Sequence, residues 1–124
     1  MGIYDENNVC TVYDMAMILQ AALDNDLARQ ALTTKIYEIP ANEMHPEGMI
    51  LSNWFLRRIE DHVSDGMQVI GAKTGYVVEA GNCAASYAET DNGGHFICVT
   101  ANTTSSWQCI RDHVQLYNTY ANIH

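Results

Sequence analysis

The residues best placed to do chemistry in this chain share one run, V-I-G-A-K-T-G-Y-V-V-E-A-G, from Val69 to Gly81. Lys73 is one of only two lysines, the other being Lys35, and it falls between an apolar run and a glycine. Two readings fit a cation beside Thr74 and Gly75. One is a solvated lysine at a turn. The other is a charge held on a strand where a ligand can meet it. Other candidates are thin. Arg111 is the one arginine near the end of the chain, and His45, His62, His95, His113 and His124 are scattered. No histidine stands at zinc-site spacing from a cysteine pair. Cys10, Cys83, Cys98 and Cys109 form no C-x-x-C motif, so they read as free, mostly buried thiols. No metal or cofactor is expected.

Composition narrows the partners. The 124 residues hold 15 acidic and 6 basic side chains, a formal net charge of -9. That excludes binding to nucleic acid or anionic lipid through a general basic field, though not a local anion site at one lysine. The apolar fraction of 48% and charged fraction of 17% are those of one soluble domain with its own core. No run approaches the roughly 18 apolar residues of a membrane span. M-G-I-Y-D-E-N-N lacks the basic and apolar regions of a signal peptide, and a myristoylation pattern opened by Gly2 fails at Glu6.

The elements that must hold the Lys73 run follow from periodicity. Thr11 to Asn25 reads as a helix, with Thr11 as N-cap and Asp14 in the first turn. A short helix, Leu27 to Leu32, follows Asp26 as cap, and Thr33 to Ile39 alternates like a strand. Ala41 to Gly48 is a loop. Ser52 is a candidate cap for a helix through Ile59, and Asp65-Gly66 is a turn. Gln68 to Val77, Asn82 to Glu89 and His95 to Ala101 read as three strands, the last two joined by the loop Thr90 to Gly94. That loop sets a register in which paired residue numbers sum to about 184, so Cys98 faces Ser86 and Cys83 faces Ala101. Trp107 to Tyr120 is a closing helix capped by Ser105 or Ser106. The fold class is α+β: helices over residues 1–66, then over 67–124 a three-stranded antiparallel meander with a helix packed on it.

Three pieces in this order carry a resemblance. They are V-Y-D-M-A at Val12 to Ala16, K-T-G-Y at Lys73 to Tyr76 followed by A-G at Ala80-Gly81, and D-x-x-x-L at Asp112 to Leu116. Over nearly the whole chain this resembles the C-terminal half of the transpeptidase-like domain of serine D-alanyl-D-alanine carboxypeptidases, the low-molecular-mass penicillin-binding proteins. The resemblance implies a partial β-lactamase/transpeptidase-like fold and a serine acylated by a peptide ending in D-Ala-D-Ala. It implies that Lys73 attracts the terminal carboxylate and supports proton transfer, and that Thr74 offers that carboxylate a hydroxyl. Gly75 lets the substrate backbone approach, and the backbone N–H of Tyr76 is one of two oxyanion donors. The family's carboxylate-binding arginine finds only an imperfect counterpart in Arg111. Partners implied are peptidoglycan stem peptides and β-lactams, in the cell envelope and outside the cytoplasm.

The chain also departs from that pattern. Three positions after Ser52, Ser64, Ser86, Ser105 and Ser106 stand Phe55, Met67, Glu89, Gln108 and Cys109, so no S-x-x-K motif exists. Thr90-Asp91-Asn92 mimics S-x-N but lies beyond the K-T-G strand, where a turn is its natural use. A fragment that lacks the nucleophile and is inactive alone is therefore expected. Its last strand would have an open edge, which favours self-association. Two alternatives remain: a fragment of a class A β-lactamase-like hydrolase, and a non-catalytic binding module on the same scaffold.

Overall fold

A threonine and an aspartate three residues apart start the first helix. Thr11 Oγ1 accepts from the Asp14 N–H at 3.0 Å, and Asp14 Oδ2 accepts from the Thr11 N–H at 3.1 Å. This reciprocal capping box satisfies two N–H groups that the helix cannot. In the structure, a computed structural model that describes residues 4–121, α1 runs Val12–Leu23. Its neighbour α2 (Asp26–Thr33) is capped by Asn25 rather than by Asp26. Asn25 has the extended backbone a cap needs, whereas Asp26 lies inside the first turn, where its charge complements the helix dipole. Thr33 therefore closes a helix instead of opening a strand, and β1 shortens to Ile36–Ile39.

The loop after Pro40 ends in a strand that periodicity does not reveal. β2 (Met49–Ser52) pairs antiparallel with β1, from Ile36↔Ser52 to Ile39↔Met49. M-I-L-S is too short and too uniformly apolar to alternate visibly. The first 66 residues are thus helices with an inserted hairpin. α3 (Trp54–Ile59) follows, capped by Asn53 rather than Ser52.

β3 (Met67–Val77), β4 (Gly81–Thr90) and β5 (His95–Thr103) form an antiparallel sheet in the order β3-β4-β5. The expected register holds from Glu89↔His95 to Ala84↔Thr100, with Cys98 opposite Ser86. It shifts between Asn82 and Ala84, so Cys83 does not face Ala101 as the loop alone predicts. The cause lies at Asn102, whose φ of 58° is left-handed and whose N–H bonds the Ala80 carbonyl at 3.0 Å. One extra residue is absorbed there, as in a β-bulge. α4 (Ser106–Tyr120) begins at Ser105, whose side chain accepts from the Gln108 N–H at 3.0 Å.

Helices cover both faces of the sheet. Phe55, Leu56 and Ile59 of α3 and Ile110 and Tyr117 of α4 pack on the face of Ala84 and Ala88. Leu19 and Leu23 of α1 pack on the face of Ala85 and Tyr87. Cys83, Cys98 and Cys109 are buried free thiols and Cys10 is exposed. Burial pushes the Cys98 thiol up to about 12.

Two polar residues, Ser86 and His113, are completely buried between α4 and the sheet. Ser86 Oγ lies 2.7 Å from His113 Nδ1 and 2.7 Å from the Tyr117 hydroxyl. His113 Nε2 lies 2.9 Å from Thr100 Oγ1. A neutral imidazole has one donor and one acceptor, which these partners match. Burial lowers the His113 pKa from 6.5 to about 4, opposed in part by Asp112. The sign of the pH effect follows. The unfolded chain binds this proton first, so stability from His113 is complete above about pH 6.5 and is lost as pH falls through about 4. Urea unfolding should show a loss on the order of 3 kcal/mol from this group across that window. His113→Gln should be less stable at pH 7.5 and show a shallower acid dependence, and an unchanged dependence would assign the slope to other groups.

Candidate functional site

Among the described residues β3 is an edge strand, paired with β4 on one side and with no strand on the other. One bond establishes which backbone groups face the open side. The Ala72 carbonyl accepts from Asn53 Nδ2 at 2.9 Å, and Asn53 lies outside the sheet. In an antiparallel strand the N–H and C=O of one residue point the same way, and successive residues alternate. The β3–β4 register is unbroken from Gly71 to Val77. Ala72, Thr74 and Tyr76 therefore turn their N–H and C=O groups outward, while Lys73, Gly75 and Val77 direct theirs to β4. An extended ligand placed along this edge would meet the amides of Thr74 and Tyr76.

The side chains complete the edge. Lys73 is exposed, and its Nζ donates to the outward Thr74 carbonyl. It forms no ion pair among the described residues, in a protein with 15 acidic side chains. Gly75 pairs with Cys83 and Tyr76 with Asn82, and the Tyr76 ring is exposed. The strand then turns through Val77–Ala80 into Gly81, whose φ is +68°. A Cβ at Gly81 would stand 2.9 Å from Asn102 Cα, so glycine is required for both backbone angle and space.

An open groove of about 420 Å³ lies near Cys83, but Lys73 and Thr74 line a different one, of about 610 Å³. Leu27 and Ala31 of α2, Tyr37 and Leu51 of the hairpin and Trp54 of α3 form its apolar wall. Lys73 is the only charged residue among those lining it. The arrangement suits an anionic group joined to an apolar or backbone-like body.

The other sequence candidates do not join this groove. Arg111 lies on α4 beside His62 and Trp107, where its Nη1 donates to Gln108 Oε1 at 3.3 Å. Asp14 serves in the α1 cap. Thr90-Asp91-Asn92 forms the β4–β5 turn, with the Gly94 N–H on Thr90 Oγ1 at 2.9 Å. His124 lies outside the described residues, and among those described no group of three or more His, Cys, Asp or Glu side chains could hold a metal ion. Sequence reasoning missed the role of Asn53, because S-N before an apolar run gives two adjacent cap candidates and only the fold chooses. It also missed the Ser86–His113 contact, which joins residues 27 positions apart; its complete burial leaves it no access to a substrate.

A family model described as D-alanyl-D-alanine carboxypeptidase matches residues 1–105. The fold is similar to the crystal structure of D-alanyl-D-alanine carboxypeptidase from Mycobacterium tuberculosis H37Rv, with a TM-score of 0.70 and 18% identity. The similarity covers 92% of this chain and 41% of that one, so this chain spans less than half the length of that structure. No curated protein matches the sequence.

Because Lys73 is exposed and makes no ion pair among the described residues, Lys73→Ala should leave folding stability within about 0.5 kcal/mol of the parent. Thermal and urea unfolding of the two proteins check this, and a larger loss would make Lys73 a structural residue.

Proposed function

The chain belongs to the D-alanyl-D-alanine carboxypeptidase family, and from that membership we propose that it carries the substrate-binding edge of a serine carboxypeptidase acting on peptidoglycan stem peptides. The observation that supports this most is the outward set of Thr74 and Tyr76 amides beside a cation with no carboxylate partner. A stem peptide ending in D-Ala-D-Ala adds to β3 as an extra strand. The Lys73 ammonium leaves the Thr74 carbonyl for the terminal carboxylate, and the Thr74 hydroxyl donates to the same group. A serine oxygen attacks the penultimate D-alanine carbonyl carbon, and the Tyr76 N–H donates to the oxyanion that forms. The C–N bond then breaks, the terminal D-alanine leaves as an amine after gaining a proton, and water hydrolyses the resulting ester. The serine and its base come from outside these 124 residues, since no serine here stands in S-x-x-K. Arg111 lies on α4, apart from the residues that line the groove at Lys73. β-Lactams acylate the same serine, and the enzyme works at the cell envelope. Among the described residues no helix is long and apolar enough to cross a membrane.

Intact-mass spectrometry after exposure to benzylpenicillin tests the proposal. The 124-residue chain alone should gain no acyl adduct. The gene product that includes the nucleophile should gain one, and Lys73→Ala should slow that acylation by at least about 100-fold. Stoichiometric acylation of the short chain, or none of the longer product, would overturn it.

Self-association is the second part of the proposal. No strand pairs with the outer edge of β5 among the described residues, and β5 carries no lysine or proline to guard it. Beside it α1 exposes Val12, Tyr13, Met17 and Ile18. Sedimentation of the chain should show a concentration-dependent dimer or larger species, and a monomer throughout the micromolar range would count against association.

A further inference from the structure

We propose that Asn53 is a positioning residue for the β3 edge. Besides accepting the Arg57 N–H of α3 at its carbonyl, it makes three bonds that join separate elements. Its backbone N–H donates to the Lys35 carbonyl at 2.7 Å, its Oδ1 accepts from the Leu56 N–H at 3.1 Å, and its Nδ2 donates to the Ala72 carbonyl at 2.9 Å. One residue thereby ties the start of the hairpin, the start of α3 and the residue before Lys73. An asparagine side chain offers a separate acceptor and donor, and both are used here in different directions. Aspartate keeps the acceptor alone.

The bond to Ala72 matters because of its place. Among the described residues no strand pairs with the outer edge of β3, and the bond at Ala72 fixes that edge just before Thr74 and Tyr76. A one-residue slip of a strand reverses which groups face out. By holding the Ala72 carbonyl outward, Asn53 keeps the Thr74 and Tyr76 amides outward with it. Asn53 also lines the groove beside Lys73, so loss of this bond would be felt where a ligand sits. This inference rests on the reading of that edge as the ligand site.

Two variants separate positioning from helix capping. Asn53→Asp keeps an acceptor for the Leu56 N–H, and aspartate caps helices about as well as asparagine. It has no donor for Ala72. Asn53→Ala loses both functions. The full chain, labelled with nitrogen-15, is examined by NMR alone and with an N-acylated D-alanyl-D-alanine peptide. In Asn53→Asp the amide resonances of Thr74 and Tyr76 should move while those of Leu56 and Ile59 stay. Peptide affinity should fall about five-fold or more in both variants, the loss expected for one hydrogen bond. If Asn53→Asp leaves Thr74 and Tyr76 unmoved and only Asn53→Ala perturbs them, Asn53 is a helix cap and the proposal fails. If aspartate disturbs α3 itself, Asn53→Ser repeats the separation, because its hydroxyl caps but its shorter side chain leaves Ala72 unbonded. Failure of the parent chain to bind the peptide would overturn the reading of the edge, while the ligand-free resonances still decide the role of Asn53.

Discussion

The structure depends on burying β4 from both faces at once. Residues Cys83 to Ala88, C-A-A-S-Y-A, are all buried, and four of the six are alanine or serine. Small side chains let α4 and α3 approach one face and α1 the other, and burial of apolar surface on both sides supplies the main driving force. With both faces of β4 covered, the sheet offers its backbone to another molecule at its two outer edges, β3 and β5. That is why a single-residue contact such as Asn53 to Ala72 has consequences for the candidate site. It acts on one of the few places where the sheet is open.

The core carries a polar exception at its centre. Ser86 stands among apolar neighbours on β4 and is bonded to His113 and Tyr117, and His113 in turn to Thr100. Such a network is costly unless every member is bonded, and no buried side-chain nitrogen or oxygen among the described residues lacks a partner. The hydrogen bonds are directional where apolar contacts are not. They fix the rotation of α4 about its own axis, which sets Trp107 edge-on to Trp54 with ring centroids 5.3 Å apart. Trp54 in turn lines the groove at Lys73. Docking of α4 on the sheet thus meets the wall of the candidate site at Trp54.

Much of this was legible in the sequence, for reasons that differ by element. The three-stranded meander shows because its strands are long and joined by a short polar loop, and the register from Glu89 to Ala84 follows from that loop alone. The Thr11–Asp14 capping box is a local pattern and is read directly. What escaped reading was short or non-local. β2 has four residues, too few for a period to register. The choice of Asn25 over Asp26, and of Asn53 over Ser52, turns on backbone angles that neighbouring packing sets. The bulge at Cys83 arises from a left-handed Asn102, 19 positions along the chain. The candidate site was named from one tripeptide and its surroundings. Its apolar wall was not, because Tyr37, Leu51 and Trp54 converge only in three dimensions.

The edge of β3 also explains how the proposed chemistry divides along the chain. Binding a carboxylate and donating to an oxyanion need fixed dipoles and one charge, and a rigid strand supplies both without reorganisation. A nucleophile and its base need instead a hydrogen-bonded pair of side chains. The outward backbone groups of β3 are amides and carbonyls, which hold a ligand but do not attack it. A sheet edge is therefore suited to hold an extended ligand, and the apolar wall beside Lys73 borders that edge. In that division the position of Ala72 acquires weight out of proportion to its side chain. It is where the packed part of β3 ends and the presenting part begins, and Asn53 is the residue that marks the boundary.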